Sequence, residues 1–532
     1  MNKIHLIQNN GFHWFKNDTI SVKGCFFDDK NNFYEKSDLL DYFKSVKTKA
    51  DLIDKITEAN GIFTVIIKIK DIIMIASDTS RIFPLFYSFQ KNSLFISDDI
   101  VFLKTNLKIS VINKQSETEF NSAAHTIGNK TLLKNIYQTQ SNEFLIFQNN
   151  KLINQQFFFS YSTNKLNPAP YESLKSQAIQ VFEETFKRLI ISLQNRPVIL
   201  PLSGGYDSRL IALMLKKHNY TNVICFTFGK KNNFETENSK KTAEALNFKW
   251  LFIEYSKELI NNYIETESFK EYVHFAGKYS SMPFLQEYFA VKYLKDNNLI
   301  AENSVFIPGH SGDLLGGSQL IKVVSENLKP SGISNLIVKK KFFYNSISDS
   351  EKPEIKKAVK NSLLSFNPDY QKDIPYSVFE DYDIKEKLTK FIFNSTSVFN
   401  FFGFEQRFPY WDKKMLCFFK NVPFEYKKMK LLYDDVLKNH FFKSFNLNFE
   451  KEIQSSLFSV SVQKIKNRIK PILPFVFRKQ FLIKNDWKNY EAITNQMLFS
   501  MKKNNLPVDS KIKKYNEIII RWYLLFIKGL IK

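Results

Sequence analysis

The sequence predicts an α/β protein in which a β-rich first part, residues 1–165, precedes a doubly wound parallel sheet with a helical C-terminal part over residues 172–532. Three observations carry this expectation. Short runs rich in β-branched and aromatic residues crowd the first 165 positions. Strand-like and helix-like stretches then alternate between about 198 and 308, as parallel strands joined by crossovers require. Past about 325 the chain is mostly helix-patterned and rich in lysine.

In the first part, residues 61–70, 72–77 and 94–97 are strand-like, and residues 36–46 and 50–59 carry helical spacing. Phe144-Leu145-Ile146-Phe147 and residues 152–159 form a hairpin turning at Gln148-Asn149-Asn150-Lys151. The polar stretch 162–170, with Pro168 and Pro170, is a linker. Beyond it Ala178, Val181, Phe182, Phe186, Leu189 and Ile190 trace one face of a helix. Strands follow at 198–202, 223–228, 250–254 and 305–308, with a helix at 235–246.

The formal charge of +23 invites a nucleic-acid or anionic-surface reading. Yet only eight of the 76 basic residues are arginine, the side chain preferred for bidentate phosphate and base-edge contacts. With Asn, Ile and Phe abundant as well, the lysine excess reads as compositional bias, and no nucleic-acid partner is expected. Cys25, Cys225 and Cys417 are far apart and form no CxxC, which argues against a disulfide scaffold, a zinc site and persulfide-relay chemistry. No run approaches about 18 apolar residues, so no integral membrane segment is expected. The first residues lack the apolar core of a signal peptide, and a cytoplasmic location follows as the expectation. The last helical stretch, 518–531, is interrupted by Arg521 and Lys528, and packing as a terminal helix is favoured over a peripheral membrane contact.

The chemistry concentrates in Ser203-Gly204-Gly205-Tyr206-Asp207-Ser208, between the strand at 198–202 and the helical spacing of Leu210, Ile211, Leu213 and Met214. A strand-to-helix turn presents unpaired N–H groups at a positive dipole end, where anions bind. Gly204 and Gly205 let the backbone approach such an anion, Ser203 and Ser208 add hydroxyls, and Asp207 suits a Mg²⁺ ligand beside a phosphate. After the second strand, Phe228 and Gly229 lie where an adenine or ribose would meet the sheet. Pro308-Gly309-His310-Ser311-Gly312-Asp313 follows a later strand, and ligands of open parallel sheets bind beyond the carboxyl ends of the strands. There Gly309 would border the nucleotide and Asp313 would join Asp207 as a metal ligand.

The first loop lacks the Gly-Lys-Ser/Thr ending of a Walker A segment. It resembles the SGGxDS pyrophosphate loop of ATP pyrophosphatases, which split ATP between the α and β phosphates. With its neighbours it resembles the asparagine synthetase family, where that loop is followed by G-x-G-x-D-E-x-x-G-G and then R-x-P-F-L-D. Arg407-Phe408-Pro409-Tyr410-Trp411-Asp412 stands in the last place. Asn60-Gly61-Ile62-Phe63, the stretch from Asp78 to Tyr87 and Gly128-Asn129-Lys130-Thr131-Leu132 resemble segments of that family's class II glutaminase domain. The resemblance covers most of residues 55–435. It implies an Ntn-hydrolase-like sandwich over 1–165 and an adenine-nucleotide alpha hydrolase-like domain over 172–532. It further implies ATP and Mg²⁺ as cofactors, and amide formation on a small-molecule carboxylate, aspartate by family default.

Departures from the family narrow what is implied. Its N-terminal cysteine, whose own α-amino group serves as base, is replaced by Asn2, and Cys25 is internal. The glutamine-binding R-G and N-G-E motifs are absent too. Nitrogen is then expected as free ammonia, from a separate amidotransferase partner, or from an amine on the acceptor, which opens sugar acids, peptides and lactam closure. The family's proton-transferring glutamate is His310, and its D-E pair is Asp313-Leu314. For the family lysine at the α-phosphate, Lys428, Lys430, Lys443 and Lys451 are available, and Lys451 fits the spacing best. Thiolating and sulfate-type adenylating enzymes share the first loop, but the missing cysteine relay counts against them. A nucleotide-binding pseudoenzyme is the other alternative, kept open by His310 and Leu314.

Overall fold

The computed structural model describes residues 3–90, 92–320, 327–449, 486–508 and 514–531. In the first part, strands β1 (Lys3–His5), β2 (Phe15–Lys16), β3 (Ile20–Phe27), β4 (Phe33–Glu35), β5 (Asn60–Ile69), β6 (Ile72–Ser77), β7 (Phe86–Gln90), β8 (Ser93–Ser97), β9 (Tyr137–Gln138), β10 (Glu143–Gln148) and β11 (Lys151–Phe157) build two sheets. One runs β1-β8-β7-β9; the other runs β11-β10-β6-β5-β3-β2, with β4 paired to β3. Side-chain alternation stacks them. Ile66, Ile73, Ile75, Leu145 and Phe147 meet Tyr87, Leu94 and Ile96 between the sheets. The alternate set, Val65, Ile67, Met74 and Phe144, packs on Leu39, Phe43, Leu52 and Ile56 of the helices Asp38–Phe43 and Lys49–Glu58. The hairpin between β10 and β11 turns at Asn149 and Asn150, both in the left-handed region that a two-residue turn demands.

The stretch 162–170 is irregular, as expected of a linker, but it is pinned along its start. The Ser162 hydroxyl donates to Asp373 at 2.6 Å, the Thr163 N–H donates to Ser377, and the Thr163 hydroxyl donates to Asn421. The helix Tyr171–Leu193 follows, and its buried residues join Phe12, Cys25 and Ile62 in one core. A buried ion pair reinforces this contact. Arg188 donates to Asp412 at 2.7 and 2.9 Å, and Asn60 of β5 donates to the same carboxylate.

The second part holds a five-stranded, wholly parallel sheet of β12 (Val198–Pro201), β13 (Val223–Gly229), β14 (Lys249–Glu254), β15 (Val305–Phe306) and β16 (Glu405–Gln406), in the order β14-β13-β12-β15-β16. Both faces are buried, so successive residues of β12 serve different cores: Val198 and Leu200 face one, Ile199 the other. β15 is shorter than the expected 305–308, because its chain leaves the ladder after Ile307 donates to Ile199. The terminal helix Tyr515–Ile527 buries Ile519, Ile520, Trp522 and Tyr523 against the second core. Among the described residues, no helix is long and apolar enough to cross a membrane.

Candidate functional site

Strand order reverses at β12, so the loops that follow β12 and β15 flank the switch point of the sheet. The first is the Ser203–Ser208 turn, whose helix Tyr206–Lys217 starts at Gly205 with no side-chain cap. Its serines tie the turn together: the Ser203 and Ser208 hydroxyls lie 3.0 Å apart, and the Gly205 N–H donates to the Ser203 hydroxyl at 3.1 Å. From behind, the buried Arg209 donates to the Gly204 carbonyl and to the carbonyls of Leu447 and Phe449. The Gly204 N–H is taken by the Glu235 carboxylate at 2.7 Å. The donor expected to meet an anion thus already carries one, supplied from the first turn of the helix Phe234–Ala245.

The second loop closes directly onto the first. A Cβ at Gly309 would stand 2.8 Å from the Ser208 nitrogen, and one at Gly312 2.7 Å from the Asp207 carboxyl carbon, so both positions need glycine for close approach. This contact brings Asp207 and Asp313 together. The Asp313 N–H donates to Asp207 Oδ2 at 2.9 Å, Tyr433 donates to Oδ1 at 2.9 Å, and Tyr410 donates to the Asp207 carbonyl. Burial, and then the neighbouring Asp313 charge, hold the Asp207 pKa above the ordinary carboxylate range. The Asp313 charge acts on Asp207 more strongly than the opposing charge of Lys430, an arrangement that suits a Mg²⁺ taking its remaining ligands from phosphate and water. Among the described residues no group of three or more His, Cys, Asp or Glu could hold a metal by itself.

A cavity of about 140 Å³ lies between the loops, lined by Ser203, Ser208, Phe228, Gly309 and His310. Gly229 is turned away and backs onto the Trp487 carbonyl. His310 Nε2 bonds the Ser395 hydroxyl at 2.9 Å, and burial, with the Lys488 charge adding to it, pushes His310 down to about 4. Of the candidate lysines, Lys430 pairs with Asp434 and its charge acts on Asp207, whereas Lys428 and Lys443 are exposed. Lys451 lies outside the described residues.

Several groups at the site carry no signal in sequence spacing. Glu287 lines the cavity with its Oε2 buried and unbonded, and burial pushes its carboxyl up to about 7. Lys488 arrives from far along the chain, donates to Gln286, and acts electrostatically on Glu287, Glu235 and His310. Trp487 beside it closes the cavity against Phe228, with 6.3 Å between ring centroids. Glu235 lay within the helix expected at 235–246, but nothing in that spacing aimed it at Gly204.

The profile of a family of unknown function (DUF7411) matches residues 197–277, the stretch from β12 to the end of the helix Glu267–Gly277. None of the curated proteins matches the sequence. Among solved structures, the NH3-dependent NAD synthetase from Campylobacter jejuni is 18% identical with a TM-score of 0.19, covering 37% of this chain and 96% of its own. NMN synthetase from Francisella tularensis is 14% identical with a TM-score of 0.18, covering 38% and 96%. At TM-scores this low, neither likeness says what this chain does.

Proposed function

We propose that this protein is an ATP-dependent, amide-forming ligase that activates a carboxylate by adenylation and releases pyrophosphate. The observation that carries this reading is the closure of the two loops at the switch point, which sets Asp207 beside Asp313 at the mouth of an anion-binding turn. The substrate carboxylate attacks the α-phosphorus of ATP, forming a carboxyl–phosphate bond as the α–β phosphoanhydride breaks. The N–H groups of Gly204 and Gly205, with the hydroxyls of Ser203 and Ser208, receive the departing pyrophosphate. Glu235 must yield the Gly204 N–H for this to happen. Asp207 and Asp313 would hold Mg²⁺, which when bound neutralises charge on the phosphates.

Ammonia or an amine then attacks the acyl carbonyl and loses a proton as AMP leaves. His310, a weak base bonded to Ser395, is poorly matched to that proton. Glu287, poised near neutrality with a free oxygen at the cavity wall, is the better acceptor. Cys25, buried in β3 with its thiol pushed up to about 12, offers no thiolate for glutamine hydrolysis. Aspartate is the default acceptor of the resembled family, and sugar acids, peptides and lactam closure are the alternatives.

ATP–pyrophosphate exchange across a panel of carboxylates tests the reading. Exchange should appear with at least one acid and vanish in Asp207→Ala. Folded protein that exchanges with no acid would sink it. Glutamine alone should release no ammonia.

A further inference from the structure

A second cleft, sharing no lining residue with the nucleotide cavity, opens beside the helix Glu267–Gly277 and its C-terminal neighbour Lys278. It measures about 270 Å³ and adjoins a smaller pocket of about 20 Å³, which Lys278 also lines. Glu271, His274 and Phe275 share one face of the helix, and Lys278, its left-handed C-cap residue, lines the same cleft, which thus holds an acid, an imidazole, a ring and an amine.

Two polar groups on this face have no hydrogen-bond partner among the described residues. Lys278 is only 7% exposed, and its ammonium has no hydrogen-bond acceptor or ion pair among the described residues. The Phe275 ring centroid lies 5.4 Å from it. His274 Nδ1 is buried and also without a partner. Asp98, across the cleft, is committed elsewhere: it accepts the N–H groups of Ile7 and Gln8 at 2.9 Å and the Trp14 ring N–H at 2.7 Å. Burial lowers the Lys278 pKa to about 7, with Arg81 and Lys23 adding to the effect and Asp98 opposing it. The Lys278 ammonium faces this cleft from a largely buried residue, so a ligand acceptor there would replace a limited water shell.

At the exposed end, Glu271 makes no ion pair among the described residues. Phe86, Phe275 and Phe401 supply apolar walls between the two ends. We propose that this cleft binds a zwitterionic α-amino acid with an apolar side chain, its carboxylate on Lys278 and its ammonium toward Glu271. About 10 Å of helix axis separates those residues, a span that two long side chains can close around one α-carbon. The site does not depend on the ligase reading.

Isothermal titration of the full chain with three probes tests it: L-phenylalanine, phenylacetate without the ammonium, and L-phenylalaninamide without the carboxylate. L-Phenylalanine should bind, with phenylalaninamide at least about tenfold weaker and phenylacetate intermediate. Lys278→Met should lose binding of phenylalanine. Glu271→Gln, at an exposed position, should weaken phenylalanine while leaving phenylacetate unchanged, and it carries the test if the first variant does not fold. No binding, equal affinity for all three probes, or unaltered affinity in Glu271→Gln would overturn the proposal.

Discussion

Asp207 ionises against its surroundings, since burial and the Asp313 carboxylate both raise its pKa. The native state therefore holds this proton more tightly than the unfolded chain does. Its contribution to stability is present at low pH and is lost as pH rises from the ordinary carboxylate range through the raised value. Asp207→Asn should raise Tm by about 1 °C or more near pH 8, with no gain near pH 4, while abolishing exchange. A variant that is less stable at alkaline pH would contradict the sign. Glu235 offers a second test at this scale, because it occupies the Gly204 N–H assigned to pyrophosphate in the proposed reaction. Glu235→Ala should lower the KM for ATP about threefold or more with little change in folding; a raised KM would mean that the carboxylate assists the nucleotide. Of the loop glycines expected to matter, Gly309 has a clear structural reason, since a Cβ there would meet the Ser208 backbone. The place of Glu287 and Lys488 at this cavity was not legible, since it comes from burial and from where a distant segment lands.

Elements were legible where a local rule fixed them. β6 occupies the expected 72–77, and the β10–β11 hairpin turns on two asparagines. Helix ends were harder to place, because a chain with only 15 glycines ends its turns on asparagine instead. Asn219, Asn247 and Asn298, each just past a helix, all have positive φ. The 162–170 stretch reads as loose from composition, yet hydrogen bonds to Asp373, Ser377 and Asn421 fix it, and no pattern within nine residues could announce partners some 210 to 260 positions away. Asp412 likewise joins three elements, accepting from Arg188, Asn60 and the N–H of Lys414. Removing it strands the buried guanidinium. Asp412→Ala should cost about 3 kcal/mol in urea unfolding, and a loss below about 1 kcal/mol would show that the pair contributes little.

At the scale of the molecule, alternating strands and helices announced a parallel sheet, and the β14-β13-β12-β15-β16 order puts both glycine-rich loops at its switch point. The packing of residues 1–165 against the rest was not legible, since Phe12, Cys25 and Ile62 share a core with a helix more than 100 positions later. The charge of +23 is carried mostly by lysine, and several lysines are consumed in buried pairs such as Lys390–Glu386, Lys385–Asp381 and Lys427–Glu380. Labelled duplex DNA should therefore bind only weakly, with association lost by about 0.2 M salt; tight, sequence-selective binding at that salt would restore the nucleic-acid reading. The central claim is that the two loops direct cleavage between the α and β phosphates of ATP. Identifying the nucleotide product formed with an accepted carboxylate tests it most directly. AMP and pyrophosphate in equal amounts are predicted, and ADP with inorganic phosphate would contradict the account.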